Sequence, residues 1–291
     1  NNNNNQSSFK KDTQSYSPTK LNNTSHYITT KNTSNDNNTN NANFNSNNNK
    51  ISSVEKTKDN TEINIVYLLD MTYSMKKNKD IILLIEQVNI SLKNKYSKIK
   101  FGYVLYRDYE GGFEKKLGKY DHIDVINLNS DDFLPNSKIE FYGGRDWAED
   151  WANAYYAVSQ INYNNVKQNI VIHICDAGAH SNFFSDYDDN NDQRRLLEEA
   201  LCLCSDKKLK IIGFLYNNFS RQSFVKCQNY YTGYYDIIDL ACSGEQFSKE
   251  IIQEAIEKAL KNTKIYKTDD YTNVYGFEDD FIYFIYKAHM D

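Results

Sequence analysis

A chain of 291 residues can hold one or two domains, and its 40% hydrophobic and 25% charged content is that of an ordinary folded protein. The net charge of −5, with no long basic patch, argues against a nucleic-acid partner, whose phosphates normally meet a basic face. No stretch approaches the roughly 18 unbroken apolar residues of a membrane span.

Residues 1–60 are dominated by Asn, Ser, Thr and Lys, with Asn tracts at Asn1–Asn5 and Asn32–Asn49. Such a segment cannot bury enough apolar surface to offset its ordering entropy and reads as a disordered, passive tail. Residues 61–263 have a different texture. Ile63–Leu69 is a continuous apolar run suited to a strand buried on both faces. Ile81, Leu84, Ile85, Val88 and Leu92 recur at helical spacing within Lys76–Lys95. Phe101–Tyr106 reads as a second strand, and Ile123–Leu128 alternates like an edge strand or hairpin partner. Asp131–Phe141 suggests a short helix carrying Pro135. Asp146–Ile161 is expected as a helix with Trp147, Trp151, Ala154, Tyr155 and Val158 on its core face.

Further on, Ile170–Cys175, Leu209–Tyr216 and Asp236–Leu240 read as strands, and Gln193–Cys204 as a helix. Ser243–Lys261 reads as a last helix, its Ser-Gly-Glu-Gln start fitting a capping box. Residues 264–291 read as an extension or linker. Strands alternating with helices imply a doubly wound, mostly parallel α/β sheet with one antiparallel edge strand and helices on both faces. Ligands of such sheets sit where strands end at the carboxyl edge. Of the five cysteines, Cys175, Cys202, Cys204, Cys227 and Cys242, four lie in apolar segments and none has zinc spacing, so reduced core thiols are expected. With no visible signal segment, these point to the cytoplasm.

Asp70-Met71-Thr72-Tyr73-Ser74 follows the first strand directly. If the chain stays extended there, residues 70, 72 and 74 point the same way and bring one carboxylate and two hydroxyls together. Such oxygen ligands suit Mg²⁺, Mn²⁺ or Ca²⁺ rather than zinc. The alternative is that Asp70 and Ser74 cap the following helix. Asp176 also follows a strand, in Cys175-Asp176-Ala177-Gly178-Ala179-His180. Gly143-Gly144-Arg145-Asp146 precedes the Trp-rich helix, with glycines permitting a tight turn and Asp146 placed as either cap or ligand. His180 is expected to hydrogen-bond structurally, and Arg107-Asp108 to brace the metal loop.

These motifs resemble the von Willebrand factor A-type domain. Asp70, Thr72 and Ser74 match that family's Asp-x-Ser/Thr-x-Ser metal-ion-dependent adhesion motif, and Asp176 matches its later metal-site aspartate. Phe101–Tyr109, the segment with Gly143, Gly144, Asp146 and Glu149, and the segment with Asp176, Ala177 and His180 resemble the branch attached to alpha-type protein kinases in protists. The resemblance spans roughly residues 62–262. Arg145 stands where many A-domains carry a metal-ligating Thr, so it implies that Asp146 replaces that ligand or that the site has fewer protein ligands.

The resemblance implies a protein-binding module: a divalent cation, Mg²⁺ first, accepts an Asp or Glu side chain from a partner. About 30 residues follow the domain, too few for a kinase, and there is no Gly-rich phosphate loop, so an enzyme is not expected. The alternative is a phosphatase of haloacid-dehalogenase type with Asp70 as nucleophile, whose chemistry wants a second carboxylate at position 72.

Overall fold

Ile63 to Asp70 are buried without interruption in the first strand, β1 (Asp59–Asp70), as a strand covered on both faces requires. Their side chains alternate between two cores: Ile63, Ile65, Tyr67 and Leu69 join one cluster, and Val66 and Leu68 the other. The computed structural model that shows this describes residues 58–108, 117–118, 122–131, 133–144, 148–185, 192–244 and 246–262. Residues 1–57 of the expected tail and the C-terminal extension therefore lie outside the described residues, as do Arg145, Asp146 and Trp147, while Asp59 and Asn60, expected in the tail, begin β1.

After β1 come a 3-10 turn (Tyr73–Asn78), α1 (Asp80–Lys95) and β2 (Tyr96–Tyr106). Then follow β3 (Asp124–Asn129), β4 (Ala148–Glu149), α2 (Trp151–Gln160), β5 (Gln168–Cys175), β6 (Gly178–Ala179) and α3 (Asp192–Asp206). The chain continues through β7 (Lys210–Leu215), α4 (Arg221–Tyr230), β8 (Tyr235–Asp239), α5 (Leu240–Ser243) and α6 (Lys249–Lys261). The main sheet has six strands in the order β3-β2-β1-β5-β7-β8. All pairs are parallel except β2 with β3, so β3 is the antiparallel edge strand expected from its alternation. Helices α1 and α6 contribute to the core on one face, and α2, α3 and α4 to the core on the other.

Several expectations need correction. Asp131–Phe141 holds a 3-10 turn at Asn136–Lys138 instead of a helix among its described residues, with Pro135 just before it, whose ring fixes φ (−58°) and whose missing N–H cannot serve a helix. Ser243 is the last residue of α5, and Gly244 adopts a left-handed conformation (φ 67°) that stops that helix. The final helix is capped by Ser248, whose hydroxyl accepts from the Ile251 N–H. Helix α4 was not anticipated.

Two buried polar assemblies lock the layers. Tyr67 donates to Asn89 (2.6 Å) and Asn89 donates to Tyr103 (2.9 Å), tying α1 to the sheet. On the other face His173 of β5 lies between the hydroxyls of Tyr106 (2.9 Å) and Tyr155 (3.0 Å), with Trp151 packed edge-on at 4.4 Å. Burial pushes its pKa down to about 3, so this imidazole is neutral at physiological pH. At the amino edge, Lys210 Nζ donates to Gln168 Oε1 and to the carbonyls of Ala259 and Asn262 at 2.7–2.9 Å. Three acceptors match the three donors of an ammonium and hold the end of α6.

Candidate metal centre

Because β1 and β5 are parallel neighbours in register, Asp70 and Asp176 emerge side by side at the carboxyl edge. Thr72 is extended (φ −71°, ψ 165°), so the alternation of β1 continues one step past the sheet. Asp70 Oδ1 accepts from the Thr72 amide (2.8 Å) and from the Thr72 hydroxyl (2.6 Å). The hydroxyls of Thr72 and Ser74 lie 3.1 Å apart, and Ser74 donates to Asp176 Oδ1 at 2.7 Å. An unbroken chain of oxygens thus links the two carboxylates. The capping alternative is not realised: α1 follows Lys79 with no side-chain cap.

Burial grades across this chain. Asp70 is 2% exposed and Thr72 fully buried, whereas Ser74 is exposed. Oδ2 of Asp70 is buried and has no hydrogen-bond partner among the described residues. An unsatisfied buried oxygen of this kind costs about 1–3 kcal/mol or more. Burial first, and the neighbouring charge of Asp176 second, raise the Asp70 pKa to about 7. Among the described residues no three His, Cys, Asp or Glu side chains gather as a metal cluster. The donor set is instead two carboxylates and two hydroxyls, which suits hard cations. Asp146, the fifth expected ligand, lies outside the described residues.

The glycine pair seats this loop. Tyr142 N–H donates to the Met71 carbonyl (3.2 Å), and Tyr73 N–H to that of Gly143 (3.3 Å). Gly143 and Gly144 both have positive φ (77° and 76°), and a Cβ on Gly144 would stand 3.0 Å from Thr72 Cβ. Gly144→Ala is therefore expected to displace Thr72 and destabilise the domain by about 1–3 kcal/mol. A fall in the thermal midpoint of several degrees, checked by calorimetry, is the expected result.

Arg107 and Asp108 hold neighbouring loops through separate partners, and none of their hydrogen bonds among the described residues reaches the Asp70–Ser74 loop they were expected to brace. The buried Arg107 guanidinium donates to the carbonyls of Glu140 (3.0 Å) and His122 (3.4 Å), pairs with Asp124 (3.2 Å), and lies 4.5 Å from the Tyr142 ring centre. Asp108 meets His180 Nε2 at 3.0 Å, so His180 has the structural role expected of it. The His180 amide donates to the carbonyl of Glu149, beside the β4–β6 bridge. Asn217 was missed: it follows β7 and donates to the Asp176 carbonyl at 2.6 Å. Its position just after a strand was the available signal. Ser223 was missed too. Its hydroxyl accepts from the Ala179 amide (2.9 Å) and donates to the Phe184 carbonyl (2.8 Å). Nothing in the sequence of α4 marks it.

Fold and site together define a doubly wound α/β domain with an acidic, hydroxyl-lined centre at its carboxyl edge. No protein-family model and no curated protein matches the sequence. Among solved structures, the pilus adhesin SpaC from Lactobacillus rhamnosus GG in its open conformation is similar at 11% identity and a TM-score of 0.44, covering 70% of this chain and 31% of that one. Proximal thread matrix protein 1 from the mussel byssus is similar at 12% identity and a TM-score of 0.41, covering 70% of this chain and 47% of that one. The chain thus spans less than half the length of either. Both likenesses are too distant to carry a functional inference, and neither bears on kinase-attached A-domains.

Proposed function

We propose that the domain is a von Willebrand factor A-type binding module for a protein partner. In this reading Asp70, Thr72, Ser74 and Asp176, joined by Asp146, hold a divalent cation, Mg²⁺ first and Mn²⁺ or Ca²⁺ by the same chemistry. The bound cation would supply a Lewis-acidic position that accepts an Asp or Glu side chain of the partner. The observation that carries the reading is the buried Asp70 carboxylate oxygen without a hydrogen-bond partner among the described residues, beside a second carboxylate and two hydroxyls. A cation there would relieve both the missing bond and the repulsion between Asp70 and Asp176.

The chain's own groups divide the work. Asp70 and Thr72 form the buried floor, while exposed Ser74 faces solvent, where a partner carboxylate can approach. Arg107, His180 and Asn217 hold the loops in place before any partner arrives, which lowers the entropy cost of binding. Nothing favours a phosphatase: position 72 carries a hydroxyl that donates to Asp70, where that chemistry wants a carboxylic acid. The exposed thiol of Cys242 suits a reducing, cytoplasmic setting, which we include in the proposal.

Calorimetric titration of the full chain with Mg²⁺ and Mn²⁺ tests the reading. Saturable binding is expected, together with capture of a Glu-containing peptide that EDTA releases and a Gln counterpart does not reproduce. Absence of any heat of binding with either ion would overturn it.

A further inference from the structure

Large exposed apolar side chains are few among the described residues, yet three of them stand on the loops that build the candidate centre. Tyr73 (64% exposed) lies between Thr72 and Ser74, Tyr142 (39%) precedes the Gly143–Gly144 turn, and Phe219 (42%) follows Asn217. Each loop is tied to the centre: Tyr142 through the Met71 carbonyl, Tyr73 through that of Gly143, and the Phe219 loop through Asn217 to the Asp176 carbonyl. The Phe219 amide donates to Asn217 Oδ1 at 2.9 Å, which fixes that residue's backbone. Two of the rings are also steadied by cations. Lys76 Nζ is 5.3 Å from the Tyr73 ring centre, and the buried Arg107 guanidinium is 4.5 Å from that of Tyr142. Aromatic rings held in fixed positions around a polar centre are the residues that most often dominate binding energy.

The exposed charge beside the Tyr73 ring is mostly positive, with Asp80 and, near Tyr142, Glu140 as exposed acids. Lys76, Lys77 and Lys79 are all exposed on the turn that follows Ser74, in a chain whose overall charge is −5. Three lysines against the exposed Asp80 leave this turn net positive, which favours the approach of an anionic segment.

We infer that the occupant is an acidic peptide segment of a partner protein in which the carboxylate that reaches the centre is followed directly by an aromatic or large aliphatic residue, seated on the rim of Tyr73, Tyr142 and Phe219. The inference rests on the cation-dependent reading above and adds the specificity that reading lacks. The carboxylate fixes the register, the rim selects its neighbour, and the lysines speed the encounter.

The test uses the full chain and short fluorescent peptides with a central Glu-Phe, Glu-Gly or Gln-Phe pair, in Mg²⁺ and in EDTA. The Glu-Phe peptide is expected to bind about tenfold more tightly than Glu-Gly in Mg²⁺. Phe219→Ser and Tyr73→Ser each bring that ratio close to one, while Leu83→Ser, at an exposed apolar position on α1, leaves it as it was. Equal, Mg²⁺-dependent binding of Glu-Phe and Glu-Gly overturns the rim and leaves the cation reading intact. A Glu-Phe preference that persists in EDTA and vanishes in Phe219→Ser keeps the rim and discards the cation. Failure of all three peptides to bind overturns the inference.

Discussion

Asp70→Asn is expected to melt at a higher temperature than the native protein in EDTA, and at a lower one in millimolar Mg²⁺. The reversal follows from the site's geometry. Without a cation, Asp70 is a buried carboxylate with one oxygen unpartnered among the described residues and Asp176 close by. Replacing it by an amide of the same shape removes the charge, keeps an acceptor for Thr72, and is worth about 1–3 kcal/mol. For a domain of this size that is a rise of several degrees, at about 2–4 °C per kcal/mol. With Mg²⁺, native protein gains about 2.7 kcal/mol at a hundredfold excess over the dissociation constant, and the variant gains almost nothing. Scanning calorimetry of both proteins in both buffers measures the effect. Equal Mg²⁺-induced shifts in the two proteins would remove Asp70 from the ligand set.

The second large effect is an acid lability centred on His173. Its folded pKa is depressed to about 3 from an ordinary 6.5 by burial between Tyr106, Tyr155 and Trp151. Between those values the unfolded chain binds a proton that the folded chain refuses, so stability rises with pH there. The contribution is complete above about pH 6.5 and is lost progressively as the pH falls toward 3. At pH 4.5 the loss amounts to about 3 kcal/mol. His173→Gln keeps a donor and an acceptor for the two tyrosines but cannot titrate. It should be less stable than native protein at pH 7 and close much of that gap at pH 4.5. Urea unfolding of both proteins at the two pH values decides it, and a gap that does not narrow would show that the imidazole titrates normally.

Much of the architecture was legible because burial on both faces leaves a plain mark. The apolar runs at 63–69, 101–106 and 170–175 can only be central strands in a chain that alternates with amphipathic helices. The alternation at 123–128 marked the edge strand equally well. Helix α4 escaped because it is short and its buried positions include the polar Ser223 beside Phe224 and Cys227, so no apolar stripe stands out. The cap was misplaced because Ser243 and Ser248 both offer a hydroxyl before the helix, and only the left-handed turn at Gly244 separates them.

In the site, the alternation of Asp70, Thr72 and Ser74 was readable because it merely extends the strand. The contact between Asp108 and His180 was not, since the two are 72 residues apart and meet only once β2 and β5 flank β1. Arg107 was expected to brace the metal loop, but its anchors at Glu140, His122 and Asp124 depend on a loop path that no periodicity encodes.

The ammonium of Lys210 has a geometric consequence. By gripping the carbonyls of Ala259 and Asn262 at the starting ends of β5 and β7, it fixes the point where the chain leaves α6. The polypeptide enters β1 at Asp59 on that same pole. Both points where the described domain joins the rest of the chain thus lie a full strand length from the oxygen cluster.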